Sequence, residues 1–140
     1  MQPSDSQKKI VAEFFQTPAG HEPVREAIKA LGRPASVEIG GDIRFVEQNW
    51  RVDKPYVDRL RSGKGAMQKT IYEVRHTVER KEYRTLFFVY GRRMMLTHFI
   101  QKTSQKTPKP AIDLTWDRMR AWMAKQLLLE AKTRRGEQEK

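Results

Sequence analysis

The feature that most constrains the fold is a succession of three strand-like runs, at residues 70–76, 83–90 and 94–101. Each run is rich in β-branched, aromatic and large apolar residues, as strands are. The polar segment 78–82 separates the first two runs, and Gly91-Arg92-Arg93 separates the last two. Connections this short join neighbouring antiparallel strands. The sequence therefore predicts a three-stranded antiparallel meander.

A strand and two helices are predicted before the meander. Residues 9–15 have the composition of a strand, and a turn containing Pro and Gly ends it. Residues 22–31 place apolar side chains on one face of a short helix. Pro34 suits the first turn of a second helix that extends to about residue 50. Gly40-Gly41 lowers its helix propensity by about 1 kcal/mol per glycine relative to alanine.

A long helix is predicted after the meander, opened by Pro110. Its apolar stripe consists of Ile112, Trp116, Met119, Met123 and Leu127. The order of elements is therefore β-α-α-β-β-β-α. We expect an α+β fold with a small twisted antiparallel sheet, helices on one face and a partly open opposite face.

The chain is short enough for a single domain, which we place at residues 9–131. Residues 1–8 are expected to be a disordered N-terminus, and residues 132–140 a charged, flexible tail. The sequence contains no apolar run long enough for a membrane span and no apolar core of a signal peptide. We therefore expect a cytoplasmic protein without a membrane partner.

Several kinds of chemistry are excluded by residues that the sequence lacks. It contains no cysteine, and its three histidines do not have the spacing of a zinc site. It has neither a glycine-rich phosphate loop nor the Gly-x-Ser-x-Gly motif of serine hydrolases. The expectation is a protein that uses no metal and no cofactor.

Positive charge is concentrated in the later part of the chain, which has a net charge of +11 overall. Residues 1–50 contain six Lys/Arg against seven Asp/Glu, whereas residues 51–140 contain 22 against ten. Such an asymmetry favours a polyanionic partner, with nucleic acid ahead of a membrane surface. The alternative is a solvated surface that only maintains solubility.

Strand alternation predicts which charged side chains share a face of the meander. A set of five is expected to converge on the open face: Glu73, Arg75, Arg84, His98 and Lys102. Lys106 and Lys109 follow the last strand and are placed at the rim. Lys64 and Lys69 belong to a basic connection that precedes the meander. A register shift of one residue would break this convergence.

The five side chains suit RNA cleavage by the 2′-hydroxyl of the RNA itself. This reaction needs a base, an acid and cations that stabilise charge on the phosphorane. Arginine suits the last task because its planar fork binds phosphate oxygens in pairs. His98, Lys102 or Glu73 is the candidate acid or base. The alternatives are a surface ion pair for the Arg and Glu residues and a structural role for His98, as for His21 and His76.

Three segments within the meander resemble a known family. They are IYEVR at 71–75, YRTLFFV at 83–89 and LTHFIQKTSQKTP at 96–108. In this order and spacing they are similar to the phage-related, HigB-like branch of the RelE/ParE toxin superfamily. The resemblance is strongest over residues 69–111. The preceding strand and helices and the final helix match the layout of that family.

The resemblance implies the toxin of a type II toxin–antitoxin system, an endoribonuclease that cleaves mRNA on the ribosome. It implies inhibition by a cognate helix-turn-helix antitoxin. Arg75 and Arg84 match positions of phosphate-binding or catalytic basic residues, and His98 matches a histidine often found there. Lys102 and Lys106 match the lysine-rich segment, and we expect RNA contacts from Lys106, Lys109, Lys64 and Lys69. Gln101 replaces one lysine of the usual pair, which leaves the acid and base open.

A second function remains open for the same fold. A ParE-like toxin, or a nucleic-acid-binding or protein-binding module, would act on gyrase or another target without cleaving RNA. The cluster of Arg75, Arg84 and Lys102 favours cleavage, because gyrase inhibition does not need convergent phosphate ligands.

Overall fold

The computed structural model describes residues 7–62 and 70–138. These residues form five strands and three helices. In chain order they are β1 (Val11–Phe14), α1 (Pro23–Ala30), α2 (Ala35–Asn49), β2 (Val57–Ser62), β3 (Thr70–Val78), β4 (Lys81–Tyr90), β5 (Arg93–Lys102) and α3 (Lys109–Gln138). The α+β class and the predicted order are confirmed. Strand β2 is an addition within the segment expected to be a basic connection.

The five strands form one sheet in the order β1-β5-β4-β3-β2. Strands β2 to β5 pair antiparallel with their neighbours, which confirms the meander. Strand β1 pairs parallel with β5, so the sheet is mixed rather than wholly antiparallel. Strands β1 and β2 lie at its two edges.

Helices cover both faces of this sheet. On one face α1 and α2 pack over a core that contains Val24 and Phe87. On the other, Phe88 and Met95 pack against Met119 of α3. Phe87 and Phe88 are consecutive, so they point to opposite faces, and both are fully buried. Helix α3 therefore lies on the face that was predicted to carry no helix, and it leaves part of that face open.

Two tight turns set the register of the meander. Glu79 and Arg80 join β3 to β4 with φ values of 51° and 68°. A type I′ hairpin turn needs such left-handed values at both central residues. Gly91 has a φ of 60° and starts the turn into β5, where the lack of a Cβ removes the steric penalty. The resulting register pairs Arg75 with Arg84.

A bulge in β5 changes which of its residues face α3. Leu86 pairs with His98, whereas Phe87 pairs with Leu96, so Thr97 is the extra residue. The Thr97 hydroxyl donates a hydrogen bond to the Leu86 carbonyl oxygen at 3.0 Å. Even-numbered residues after the bulge therefore share a face with odd-numbered residues before it.

Helix α3 continues through residues 132–138, which belong to the segment expected to be a charged tail. Of the expected N-terminal segment 1–8, residues 1–6 lie outside the described residues. Within the described part of the chain, no helix combines the length and apolar character that crossing a membrane requires.

Candidate active site

The five side chains predicted to converge lie on the face of the sheet that α3 partly covers. They are Glu73, Arg75, Arg84, His98 and Lys102. Directly paired residues of neighbouring strands share a face. Arg75 pairs with Arg84, and Glu82, two residues before Arg84, pairs with Lys102. His98 pairs with Leu86, which is two residues after Arg84.

Glu73 lies at the centre of this cluster and is 1% exposed. Its Oε2 accepts a hydrogen bond from Arg84 Nε at 3.2 Å and lies 3.5 Å from Arg75 Nε. Its Oε1 accepts a hydrogen bond from the Thr107 hydroxyl. One buried carboxylate therefore connects β3, β4 and the loop that follows β5.

Arg84 is buried, and its hydrogen bonds are all to protein acceptors. Besides Glu73, its Nη1 donates to Glu82 Oε2 at 3.1 Å and to the Tyr83 carbonyl oxygen at 2.8 Å. These contacts hold Nε and Nη1 of the guanidinium, and Arg84 does not line the open groove beside the cluster. Its charge nevertheless acts on the neighbouring groups, since buried charges are poorly screened.

Arg75 is the more accessible of the two arginines, with 31% of its side chain exposed. Its Nη2 donates to Asp58 Oδ2 at 3.1 Å. Its Nε is buried and has no hydrogen-bond acceptor among the described residues, because Glu73 lies beyond hydrogen-bonding geometry. A buried donor without an acceptor is destabilising. A ligand oxygen would reach the exposed part of the guanidinium rather than this buried atom.

An open groove of about 390 Å³ gives access to this cluster. Arg75 and Lys102 line it from the sheet, Lys106 and Thr107 from the loop after β5, and Ile112 from α3. Strand β2 contributes Asp58, Arg59 and Leu60. The groove therefore combines several cations with two apolar side chains, a composition that suits a nucleotide.

Lys102 has a perturbed pKa at this site. Partial burial lowers the pKa of its ammonium below the usual 10.5, and the nearby Arg84 and Arg75 charges lower it further. Glu73 and Asp58 act in the opposite direction without reversing the shift. A lysine with a lowered pKa in a groove is a candidate proton-transfer group.

The groove lies within the part of the chain that matches a known family. A family model described as "Phage derived protein Gp49-like (DUF891)" matches residues 26–120, more than half of the chain. The chain belongs to the Gp49-like family. Among curated proteins none matches it. The matched region extends from α1 into α3 and contains all the groove residues named above.

His98 of this Gp49-like chain is separated from the groove. It is partly buried, and the groove is lined by other residues. Burial lowers the pKa of its imidazole, and the Arg118 charge lowers it further. Arg118 belongs to α3 and donates a hydrogen bond to the Thr97 carbonyl oxygen. His98 therefore lies beside the covering helix rather than with Arg75 and Lys102.

The four lysines predicted to contact RNA have different positions. Lys106 lines the groove. Lys109, with 87% of its side chain exposed, pairs with Asp113 at 3.4 Å at the start of α3 and does not line the groove. Lys64 and Lys69 lie outside the described residues.

Sequence reasoning missed several contributors to the groove, among them Asp58, Arg59 and Thr107. The first two lie on β2. Its residues do not alternate between apolar and polar side chains, so the sequence did not indicate a strand there. Thr107 is within the segment that carries the family resemblance, yet no pattern there predicted its hydrogen bond to Glu73.

His76 forms a separate polar chain on the opposite face of the sheet. It is fully buried, with Nδ1 2.8 Å from Asp42 Oδ2 and Nε2 2.8 Å from the Thr85 hydroxyl. These contacts link α2 to β3 and β4, which agrees with a structural role. Among the described residues, no group of three or more His, Asp or Glu side chains is placed to hold a metal ion.

Proposed function

We propose that this chain is an endoribonuclease that cleaves mRNA without a metal ion and acts as the toxin of a type II toxin–antitoxin system. One observation carries the proposal. Arg75, Lys102 and Lys106 line a single open groove beside the buried Glu73 carboxylate. Convergent cations of this kind suit an RNA phosphate and the charge that develops on it during cleavage.

The segments that resemble RelE/ParE toxins meet at this groove, which supports the finer family assignment. Residues 71–75 contribute Glu73 and Arg75, and residues 83–89 contribute Arg84, which binds Glu73 but does not itself line the groove. Residues 96–108 contribute Lys102, Lys106 and Thr107. The partners follow from the same resemblance: mRNA on the ribosome in the cytoplasm, and a cognate helix-turn-helix antitoxin.

In the proposed reaction the 2′ oxygen of the RNA attacks the adjacent phosphorus, and the bond between phosphorus and the 5′ oxygen breaks. A base takes the 2′-hydroxyl proton, and an acid protonates the leaving 5′ oxygen. The products are a 2′,3′-cyclic phosphate and a 5′-hydroxyl. The reaction needs no additional reactant.

The geometry suggests a division of roles. Arg75 and Lys106 bind phosphate oxygens, because both line the groove and part of the Arg75 side chain is exposed. Lys102 transfers a proton, since it lines the groove and has a lowered pKa. Glu73 and Arg84 are positioning residues, because both are buried and hydrogen-bonded within the cluster.

The test is mRNA cleavage after induced expression, mapped by primer extension. The unaltered chain should produce discrete cuts within translated codons. Arg75→Gln should reduce cleavage by at least about 100-fold if it stabilises phosphorane charge. Arg25→Gln is the matched control, because Arg25 is an exposed arginine on α1 that pairs with Glu22. Circular dichroism of each purified variant establishes that it is folded.

The same experiment separates cleavage from the alternative function. Intact mRNA together with a defect in DNA supercoiling would favour a ParE-like action on gyrase. Full cleavage by the Arg75→Gln variant would refute the assignment of the groove as the active site.

A further inference from the structure

The C-terminal half of α3 exposes an unusual amount of apolar surface. Leu127, Leu128 and Leu129 are 53%, 56% and 49% exposed. Consecutive residues of a helix point about 100° apart, so one packed face could not bury all three. Farther back in the same helix, Met119 is fully buried against the sheet. The helix therefore carries apolar side chains outside the face that packs against the sheet.

A second groove, of about 740 Å³, is lined by one of these leucines, Leu129. Phe14 and Phe15 from the end of β1 form one wall, and Trp122 and Leu129 of α3 form the other. Met95 contributes from β5. The groove is large enough for several apolar side chains of a ligand, since pockets of about 300–1,000 Å³ accommodate small molecules.

Basic residues flank the leucines. Lys125, Lys132 and Arg135 are exposed and lie with Leu128 on one stripe of the helix, at spacings of three, four and three residues. Glu130, within the same stretch of the helix, accepts a hydrogen bond from the Tyr90 hydroxyl at 2.8 Å. Two acidic residues, Glu13 and Glu22, line the groove as well, but they pair with Arg93 and Arg25. The stripe on α3 therefore presents an apolar side chain between positive charges.

We propose that this groove and the leucine-bearing half of α3 form a docking surface for an acidic amphipathic helix of a partner protein. Leucines of that helix would enter the groove beside Trp122 and Leu129, and its carboxylates would meet Lys125 and Lys132. Charge complementarity favours this occupant over a second copy, since two chains of net charge +11 would bring like charges together. Exposed leucines do not contribute to binding of RNA phosphates.

This surface is distinct from the proposed active site. Seventeen residues separate Ile112, which lines the first groove, from Leu129, which lines the second. That interval corresponds to about 25 Å along the helix. The docking proposal therefore does not depend on RNA cleavage.

The test uses the full-length protein and a fluorescently labelled synthetic helix with leucines at i, i+3, i+4 and i+7 and glutamates elsewhere. Anisotropy should show binding at least about tenfold tighter than that of a scrambled peptide of the same composition or of the lysine analogue. Equal binding of the three peptides, or no binding, would overturn the proposal. Preferential binding of the protein to anionic phospholipid vesicles would overturn it in favour of a membrane surface.

Variants of the protein locate the docking surface. The double change Leu128→Glu with Leu129→Glu should weaken binding of the acidic peptide by at least about tenfold. Val37→Glu is the matched control, because Val37 is 47% exposed on α2. Loss of a dimer in the double variant, measured by sedimentation, would show that a second copy is the occupant. RNA cleavage by the double variant, assayed in parallel, should be unchanged. The proposed RNA cleavage and the proposed docking surface can therefore fail independently of each other.

Discussion

Glu73 is a residue on which much of the cluster depends. Its buried carboxylate accepts hydrogen bonds from Arg84 and Thr107 and lies beside Arg75. Removing one partner from a buried ion pair leaves an uncompensated charge, which typically costs about 3–5 kcal/mol. Glu73→Ala should therefore lower the free energy of unfolding by about 3–5 kcal/mol, measured by urea denaturation.

Glu82→Ala provides the comparison for this loss of stability. Glu82 also binds Arg84, but 44% of its side chain is exposed, so its removal should cost less than about 1 kcal/mol. Equal losses in the two variants would contradict the central position assigned to Glu73.

Lys102 should be recognisable by its titration. Burial, followed by the Arg84 and Arg75 charges, lowers the pKa of its ammonium below 10.5. At pH values between the lowered pKa and 10.5, the unfolded chain binds more protons at Lys102 than the folded chain does. The contribution of Lys102 to the free energy of unfolding therefore rises with pH across that interval. NMR titration of its side chain, assigned with a Lys102→Met variant, should show a midpoint below 10.5. A midpoint at or above 10.5 would refute the proposed environment.

At the scale of single residues, strand alternation predicted a shared face for Glu73, Arg75 and Lys102, because the period of a strand is fixed. It did not predict that Arg84 is buried. That outcome depends on acceptors that come together only in the folded chain, including Glu73 and Glu82. Alternation also gave no information on distance along the strands, so it did not predict the position of His98 beside α3.

At the scale of elements, the meander was predictable because its connections are short. Strand β2 was not, because its residues lie within a basic segment and do not alternate between apolar and polar side chains. The bulge at Thr97 was not indicated by any sequence pattern either. Its extra residue reverses the alternation of faces along β5, and this brings Lys102 to the same face as Met95. The predicted convergence therefore depends on a feature that the sequence did not reveal.

Substitutions in the two halves of helix α3 should lower the free energy of unfolding by different amounts. Met119 is fully buried against Phe88 and Met95, so Met119→Ala should lower the free energy of unfolding by about 2–5 kcal/mol. Leu127 is 53% exposed, and Leu127→Ala should lower it by less than about 1 kcal/mol. Denaturant unfolding of both variants measures the difference. A large loss for Leu127→Ala would mean that this half of the helix is packed within the monomer.

At the scale of the whole molecule, a net charge of +11 predicts general attraction to RNA, and the grooves show how that charge is arranged. Some of the cations are neutralised within the fold, as Arg84 is by Glu73 and Glu82. Others line the first groove, including Arg75, Lys102 and Lys106. Another group lies along the second half of α3, separated from that groove by several helical turns. The positive charge is thus divided between two surfaces that are chemically different.

Salt dependence distinguishes phosphate binding in the groove from general attraction. Binding to single-stranded RNA should weaken with salt, and the slope of log K against log salt should fall by about 0.7 for each phosphate that the protein no longer neutralises. Lys106→Gln removes one cation from the groove and should reduce the slope by about that amount. Lys29→Gln removes the same charge from α1, on the other side of the sheet, and should leave the slope nearly unchanged. Fluorescence anisotropy between about 50 and 200 mM salt measures both variants. Equal reductions would mean that RNA is attracted by the total charge rather than bound in the groove.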